Sequence, residues 1–290
     1  MFTTKESLTI MEAALILGVK VSYIKKLSEQ GYLSYTISDK GLKVFKMDDI
    51  TRFVNDQEID SDISPLFPMD NETESNICYH IVKGDFAQLV NYSYLQCLLF
   101  NRLRLFQVLK GLVSLKRSLY EIYDELVVPI LDRNREFYEQ GKVTLMEMRS
   151  VKSVILDSII RLQGLMVLND DYIASVYCVG VTKDCNDPLL KMLDHVLELK
   201  GFRVINCGTL NENLAIEKMF DDFCCPQRIY IVMPSESDDE ETYEIVQNLF
   251  NVLLKYKTDI YLFGKNIESY KELIPNFATR LSTFADIANT

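Results

Sequence analysis

The chain has 290 residues, of which 48% are hydrophobic and 25% are charged, with 7 prolines and 11 glycines. These proportions are typical of globular domains and exclude collagen-like, low-complexity and wholly disordered architectures. At roughly 100 to 200 residues per domain, the length predicts two or three domains. The formal net charge of -11 argues against a nucleic-acid-binding surface spread over the whole molecule.

The N-terminal segment, the apolar runs and the cysteines predict the cellular location of the protein. The chain does not open with a basic segment followed by an apolar one, and no apolar run approaches the roughly 18 residues of a membrane span. The 7 cysteines are scattered and odd in number, which favours reduced thiols over disulfides. Only His80 and His195 are present, so a histidine-rich metal site is excluded by count, and His195 is interpreted as a surface residue. We expect a cytoplasmic protein with no membrane partner and no bound metal.

The first 55 residues differ from the rest in charge and pattern. They contain eight basic and six acidic residues, a net charge of +2, whereas the remaining 235 residues carry -13. A helical pattern from Leu8 is followed by a turn at Gly18 and a second helix that ends before Gly31, which predicts a helix-turn-helix. Two β-prone runs, 33–37 and 42–46, flank a glycine-containing turn and predict a hairpin. A helix-turn-helix followed by a hairpin indicates a winged helix.

These first 55 residues, the head, resemble the excisionase and MerR-type winged helix over nearly their whole length. The matching residues are Thr9-Ile10, Glu12-Ala13-Ala14, Leu17-Gly18-Val19, Gly31-Tyr32-Leu33 and Phe45 through Ile50. The resemblance implies that the second helix enters the major groove of double-stranded DNA and that the hairpin lies on the adjacent backbone. The candidate DNA-binding residues are Lys20, Ser22, Tyr23, Lys25, Lys26, Lys40 and Lys43. Alternatively, the lysines are solvated surface residues and Tyr23 packs on the hairpin.

Lys20 departs from the family, because it stands where a helix-capping Ser or Thr is usual. A lysine cannot accept hydrogen bonds from the first backbone N–H groups of a helix, which costs about 1 kcal/mol. Residues 56–78 contain seven acids, two prolines and no lysine or arginine, which predicts an acidic linker. From 79 to about 168 apolar residues recur at helical spacing, for example from Leu119 to Leu131, and predict a bundle.

From residue 172 the pattern becomes an alternation of strands and helices. Strands are predicted at 172–181, 202–208, 228–233, 259–264 and 279–282, and helices at 188–200, 211–223, 239–256 and 267–274. This alternation predicts a doubly wound parallel sheet, the Rossmann-like architecture. Its ligands would contact the loops that follow the strands. The expected domains are therefore 1–55, a linker at 56–78, a bundle at 79–170 and the sheet domain at 171–290.

The body resembles the cobalamin-binding modules of methionine synthases and of the light-responsive, cobalamin-dependent repressors of carotenoid genes. In the bundle, 126–131 and 137–144 carry the resemblance; in the sheet domain it is carried by 179–182, 190–193 and 197–208. The domain order also matches these MerR-type regulators. The resemblance implies a fold that holds cobalamin between the bundle and the sheet, and regulation by assembly of protomers.

The cofactor-binding positions that the resemblance implies are all changed. Asn186 stands at the position of the cobalt-binding histidine, and an amide is a poorer cobalt ligand than imidazole. Leu189 replaces a glycine beside the nucleotide tail, and Phe263 places a phenyl ring where that tail would run. In the bundle, Tyr138, Met148 and Arg149 replace the tryptophan and the Glu-His pair over the upper face of the corrin. We therefore expect no cobalamin and no other cofactor.

The sequence contains no phosphate-binding glycine loop, nucleophile elbow or catalytic histidine arrangement, so we expect neither catalytic residues nor an enzyme. The leading hypothesis is a DNA-binding transcriptional regulator whose body assembles into a dimer or larger oligomer. The body would be free of ligand, or would respond to a regulatory protein or another small ligand. The alternatives are a protein-interaction scaffold whose head does not bind DNA, a regulator that holds cobalamin base-on, and a corrinoid carrier or enzyme.

Overall fold

The computed structural model describes residues 7–56, 63–166, 171–181, 188–210, 227–234 and 240–290. Contacts between Cα atoms divide the chain into two compact units, Met1–Ser118 and Leu119–Thr290. The helices of the expected bundle are thus shared between the units, with those before Leu119 in the first. Charge follows the same division, because residues 1–118 contain 14 basic and 14 acidic side chains. The second unit therefore carries the whole net charge of -11.

The first unit begins with a three-stranded antiparallel sheet and three helices. In chain order the elements are β1 Ser7–Thr9, α1 Ile10–Leu17, α2 Val21–Glu29, β2 Thr36–Ile37, β3 Lys43–Lys46 and α3 Met47–Asp56. Strand β3 lies between β1 and β2 and pairs with both. Thr9 ends β1 and begins α1, where its hydroxyl and the Glu12 carboxylate form a reciprocal capping box. Helix α2 and the hairpin lie where the sequence predicted them. The first helix begins at Ile10 and not at Leu8, because Ser7–Thr9 form the strand β1, which was not predicted.

Part of the predicted acidic linker is folded against α1. The backbone N–H groups of Ser64 and Leu66 donate to the carbonyls of Leu17 and Ile16, and Phe67 is 1% exposed. Gly18 ends α1 with φ 67°, and a Cβ at this position would lie 2.1 Å from the carbonyl oxygen of Ser64. Only glycine combines this left-handed conformation with so close a backbone approach. The segment is therefore not a solvated tether over residues 63–71.

Three further helices complete the first unit: α4 Glu72–Lys83, α5 Phe86–Leu98 and α6 Arg102–Ser114. The asparagine or aspartate before each of them accepts a hydrogen bond from a backbone N–H of the first turn. Helix α4 begins inside the predicted linker, because Asn71 supplies the cap that starts it. It packs against α1, α3, α5 and α6, which gives the head a helical support of its own.

The second unit begins with three helical segments. They are α7 Leu119–Ile122, a wide π-helical turn at Tyr123–Val127 that leads into α8 Val128–Glu139, and α9 Leu145–Gln163. Gly141, at φ 68°, lies in the turn after α8, and a Thr144–Glu147 capping box begins α9. A π turn inserts one residue into a helix and shifts the face that the following side chains occupy. Tyr123 and Asp124, the first two residues of this turn, contact the C-terminal helix, as described below.

A five-stranded parallel sheet forms the rest of the second unit. The strands are β4 Ala174–Gly180, β5 Phe202–Thr209, β6 Arg228–Val232, β7 Asp259–Phe263 and β8 Thr279–Leu281, in the order β5-β4-β6-β7-β8. The described helices are α10 Pro188–Leu199, α11 Glu240–Leu253 and α12 Phe284–Asn289. The helix predicted at 267–274 is a short 3-10 turn at Ile267–Tyr270. The predicted helix at 211–223 lies outside the described residues.

Both faces of the three inner strands, β4, β6 and β7, are covered, which explains their continuous apolar runs. Tyr177, Val179 and Ile231 pack with α11 on one face. Helix α10 contacts β4 and β5, and it also contacts α9 and α12. In a parallel sheet of this order, ligands contact the carboxyl ends of the strands near the point where the strand order reverses, here between β4 and β6.

Candidate functional site

A cleft of about 330 Å³ lies in the second unit, at the carboxyl edge of the sheet. One wall is a face of α8, where Val128, Asp132 and Arg135 follow one another at spacings of three or four residues, and Asp124 adjoins it from the preceding π turn. The other wall comes from the loops that follow β6, β7 and β8. The remaining lining residues are Glu125, Pro129, Leu131, Met148, Lys152, Pro188, Leu189, Met233, Phe263, Gly264, Lys265, Ser282 and Thr283.

Asp124 fixes the inner end of the helical wall to the sheet domain. Its two carboxylate oxygens accept the backbone N–H groups of Phe284 and Ala285, at 2.8 and 3.0 Å. These are among the first donors of α12, which have no partner within their own helix. Burial raises the pKa of Asp124, against the effect of the two backbone hydrogen bonds. The Asp124 carboxylate thus caps the N-terminus of α12 and joins it to the π turn.

Asp132 lies further along the same face and binds two cations. Its carboxylate pairs with Lys265, which follows β7, and with Arg135 one turn later on α8, at 3.1 Å. The Lys265 pair joins the helical wall to the sheet edge. Both partners are partly exposed, with 55% of the Lys265 side chain and 35% of the Asp132 side chain accessible, so this link is weak.

A buried aromatic cluster lies behind the cleft. The ring of Phe263 is 3% exposed, and its centroid lies 4.6 Å from that of Phe284. Phe284 also contacts Tyr123 edge to face at 5.3 Å, and the Tyr123 hydroxyl is hydrogen-bonded to Nδ1 of His195 at 2.8 Å. The cluster therefore joins β7, α12, the π turn and α10 in one packed group.

His195 is a buried residue, and its interpretation as a surface side chain is wrong. It is 0% exposed, because α10 is enclosed by the sheet, α9 and α12. Burial lowers the pKa of His195 to about 3, so the ring is neutral at pH 7. Its neighbour Asp194 is also buried and accepts a hydrogen bond from Asn206 Nδ2 at 2.7 Å. Burial raises the pKa of this carboxyl to about 6.

The positions that resemble the cofactor site are only partly brought together. Leu189, Phe263 and Met148 line the cleft. Tyr138, near the end of α8, is 38% exposed and is not among the cleft residues, and Arg149 is likewise exposed and outside the cleft. Asn186 lies outside the described residues. Three of the six expected positions thus share one site.

The candidate DNA-binding residues are placed on α2 and the hairpin. Exposed side chains are those of Lys20, Ser22, Lys25, Lys26 and Lys40, whereas Tyr23 and Lys43 are half-buried. Lys20 is the residue before α2 and makes no side-chain cap, as its chemistry requires. Lys43 Nζ lies 3.3 Å from Ser28 Oγ and 4.2 Å above the ring of Tyr35. Lys43 therefore braces the hairpin against α2. Tyr23 lines a small pocket of about 190 Å³ whose other residues include Tyr32 and Phe53.

The sequence analysis missed the charged residues of the cleft. Asp124, Asp132 and Arg135 lie at helical spacing in a segment that was interpreted only through its apolar stripe. Lys265 follows Gly264 directly, in a loop that was expected to contact ligands. A polar face opposite the apolar stripe, together with a lysine after a buried strand, was the available signal.

The described residues contain no group of three His, Cys, Asp or Glu side chains placed to hold a metal ion. Within the same ranges, none of the helices is long and apolar enough to cross a membrane.

Comparisons with known proteins find similarity in structure alone. No protein-family model matches the chain, and no curated protein matches it significantly. The monomethylamine corrinoid protein of Methanosarcina barkeri aligns with a TM-score of 0.57 at 10% identity, over 70% of this chain and 96% of that one.

Two other solved structures align less well. The methanol:cobalamin methyltransferase complex of Methanosarcina barkeri gives a TM-score of 0.33 at 12% identity, covering 70% of this chain and 77% of that one. A cobalamin-binding protein from Desulfitobacterium hafniense DCB-2 gives 0.34 at 12% identity, covering 69% and 95%. The likeness to the monomethylamine corrinoid protein shows the fold: a helical bundle joined to a five-stranded parallel α/β sheet, as in cobalamin-binding domains.

Proposed function

We propose that the protein is a DNA-binding transcriptional regulator of the MerR type whose cobalamin-type body does not bind cobalamin. The observation that carries the proposal is the head: two short helices across a glycine turn, followed by an antiparallel hairpin. This arrangement supports the winged helix that the sequence predicts, with α2 as the helix that enters the major groove.

The exposed face of α2 supports a DNA contact. Ser22, Lys25 and Lys26 are exposed there, and Glu29 in the last turn is the only acid of the helix. Lysines placed on the phosphate backbone release counterions and supply most of the non-specific affinity. Because the head carries a net charge of only +2, one copy would bind weakly. We therefore propose that two or more copies bind paired half-sites, with self-association through the body.

The aromatic cluster supports the loss of cobalamin. The resemblance places the nucleotide tail at Phe263, and this ring is buried against Phe284. The backbone beside it offers little additional space, since a Cβ on Gly264 would lie 3.3 Å from the carbonyl oxygen of Met233. The residues present therefore do not fit the tail. The second unit is instead held together by its own side chains, through Tyr123, Asp124 and Phe284.

A second candidate is a regulator that holds a corrinoid with its own base on cobalt, without a protein ligand to the metal. The observation that favours it is the likeness of the fold to a corrinoid protein. A protein-interaction scaffold with a head that does not bind DNA is the third candidate. The second candidate predicts that the protein binds a corrinoid, and the third predicts that it selects no DNA sequence. Our proposal predicts the opposite in each case.

The test selects bound sequences from a random duplex library and measures their affinity at several salt concentrations. We expect a paired, symmetric site. Changing both Lys25→Ala and Lys26→Ala should weaken binding and reduce the slope of log K against log salt by about 2, since each phosphate contact contributes about 0.9.

The matched control is the double variant Lys255→Ala with Lys257→Ala, which removes two exposed lysines from the second unit. It should leave both affinity and slope unchanged. If no sequence is enriched, or if the two double variants behave alike, α2 is not the DNA-binding element. Light scattering of the complex gives the number of protomers on each site.

A further inference from the structure

We propose that the cleft in the second unit binds a small uncharged organic molecule with an apolar body, such as an aromatic or branched-chain alcohol. Such a molecule would act as the effector of the body of the proposed regulator. Its binding depends on the cleft and not on DNA, so that either function can fail alone.

The size and place of the cleft suit a compact ligand. A volume of about 330 Å³ is at the lower end of the roughly 300 to 1,000 Å³ of small-molecule sites. The cleft also lies at the carboxyl edge of the parallel sheet, which is where such sheets bind their ligands. A single ring or a branched chain with one polar group is therefore the expected size.

The lining presents apolar surface that a ligand can cover. Two of its apolar side chains, Met233 and Phe263, are buried at 2% and 3% exposure. The others come from α8, α9 and the start of α10 and are only half-buried: Val128, Pro129, Leu131, Met148 and Leu189. Thioether and branched side chains adapt well to flat or branched apolar groups. The apolar surface that such a ligand removes from water would supply most of its affinity.

The charged side chains of the lining balance one another. Among the described residues that line the cleft, three are acidic and three are basic, so their formal net charge is zero: Asp124, Glu125, Asp132, Arg135, Lys152 and Lys265. A neutral ligand leaves this balance unchanged, whereas an anion or a cation would add a charge to it.

The charges at the mouth of the cleft are bound to each other. The Asp132 carboxylate pairs with Lys265 and with Arg135, and Arg135 Nε also lies 4.0 Å from a carboxylate oxygen of Glu139. An ionic ligand would have to take one of these groups from its present partner. Polar groups that are desolvated and then imperfectly paired reduce the affinity of a complex. An uncharged ligand leaves these ion pairs intact.

The other charges of the lining are engaged as well or face solvent. The Asp124 carboxylate accepts the two backbone N–H groups of α12, and Lys152 has an interaction partner of its own. Glu125 is exposed to solvent. The lining thus offers an ion no unused charge of opposite sign inside the cleft.

A hydroxyl group in the lining can bind the polar group of the ligand. Ser282 lines the cleft and is exposed. A serine hydroxyl both donates and accepts hydrogen bonds, so it can pair with an alcohol or an amide. Because Ser282 follows β8 and Val128 lies on α8, the ligand would contact both the sheet edge and the helical wall.

The experiment uses the full chain and three probes that share one apolar body, monitored by ligand-observed NMR and by thermal shift. 3-Phenylpropanol is uncharged, 3-phenylpropionate is an anion and 3-phenylpropylammonium is a cation. We expect saturable binding of the alcohol with a Kd in about the millimolar range or tighter, as expected for a ligand of this size. Both ions should bind at least about five-fold more weakly.

Variants locate the binding. Met148→Ala should weaken the affinity for 3-phenylpropanol by about five-fold, because apolar contact with the ligand is lost. Met146→Ala is the matched control on the same helix, since Met146 is 79% exposed and does not line the cleft, and it should leave the affinity unchanged. Val128→Trp, which fills the cleft from the helical wall, should abolish binding. Since the chain has no tryptophan, its fluorescence also reports whether this variant is folded.

Three results would overturn the proposal. The first is the absence of saturable binding of 3-phenylpropanol up to about 20 mM, well above the expected range. The second is binding of the anion or of the cation that is as tight as that of the alcohol. The third is equal affinity in Met148→Ala and Met146→Ala, or undiminished binding in a folded Val128→Trp variant, because either would place the probe outside the cleft. All three are read without DNA and without a corrinoid, so they leave the proposed function to its own tests.

Discussion

Replacing Phe263 with alanine tests whether the aromatic cluster closes the second unit. The ring is 3% exposed and packs 4.6 Å from Phe284, centroid to centroid. Truncating a buried phenylalanine costs about 3 to 5 kcal/mol, and the loss of an aromatic pair contributes about 0.5 to 1.5 kcal/mol of such a change. For a domain of about 150 to 250 residues, each kcal/mol lowers Tm by about 2 to 4 °C, so we expect a fall of about 6 to 20 °C.

The assay is urea denaturation followed by near-ultraviolet circular dichroism, with calorimetry for Tm. The matched control is Phe277→Ala, because Phe277 is 61% exposed and its truncation should change the free energy of unfolding by less than about 0.5 kcal/mol. Phe263→Leu keeps most of the apolar volume and should give an intermediate loss. If Phe263→Ala were as stable as Phe277→Ala, the ring would not be packed, and the space beside it would be open to a ligand.

Two further predictions concern the buried polar groups of α10. Tyr123→Phe removes the hydroxyl that pairs with Nδ1 of His195, and should lower the free energy of unfolding by about 1 to 3 kcal/mol in urea; Tyr120→Phe, at a side chain that is 41% exposed, should have almost no effect. The pKa of Asp194 is raised to about 6, so the native state binds more protons than the unfolded state between pH 4 and 6, and this contribution to stability is lost as pH rises. Asp194→Asn removes this titration. The free energy of unfolding of the variant minus that of the wild type should therefore rise by about 1.4 kcal/mol per pH unit from pH 4 to 6, and level off above pH 6. In the wild type, His195 with its pKa lowered to about 3 works in the opposite direction over the same interval. If the free energies of unfolding of the variant and the wild type changed in parallel with pH, the pKa of Asp194 would not be raised in the native state.

The regular elements could be predicted because their patterns depend on local sequence. The parallel strands appear as continuous apolar runs, and β4 through β8 lie within about two residues of the predicted ranges. The predicted helix at 188–200 was also confirmed, at Pro188–Leu199. The positions of its polar side chains were not predicted, since Asp194 and His195 suggested a solvent-facing side.

The error at His195 has a physical cause in the tertiary structure. Leu190, Met192, Leu193, Val196 and Leu197 lie on one face of α10, and Asp194 and His195 lie on the other, which the sequence alone indicates to be exposed. Helices α9 and α12 also pack on α10, so the two polar residues are buried and need partners from other elements. Those partners, Tyr123 and Asn206, lie 72 and 12 residues away along the chain. No local pattern can identify them.

The acidic segment before α4 also shows that local sequence does not determine which side chains are buried. Its composition predicted a solvated linker, because seven acids outweighed the few apolar residues among them. Phe67 and Met69 are nevertheless buried, at 1% and 3% exposure, and the chain pairs with the end of α1. Net charge averages over side chains that point in different directions. Asp70 and Glu72 stay in solvent, whereas Glu74 is buried in an ion pair with Arg104, and the apolar neighbours pack against the head.

The last prediction is that the protein does not bind cobalamin. Binding of the kind that the resemblance implies needs a ligand for cobalt, a slot for the nucleotide tail and space above the corrin. The slot is the requirement that the described residues test, and the Phe263 ring fills it by packing on Phe284, which in turn contacts Tyr123. Expelling such a ring would cost about 3 kcal/mol or more before any contact with the cofactor formed. Adenosylcobalamin or methylcobalamin should therefore change neither the melting temperature nor the elution volume, and the purified protein should be colourless.

Phe263→Gly gives that test a positive counterpart, because it removes the ring and leaves the rest of the cleft in place. If the ring alone prevented binding, this variant would acquire a corrinoid absorption band that survives gel filtration. If neither form binds, the cobalt ligand and the upper face are also lost. A stoichiometric corrinoid spectrum from the unaltered protein would contradict the prediction, and would favour the candidate that holds the cofactor base-on, without a protein ligand to cobalt.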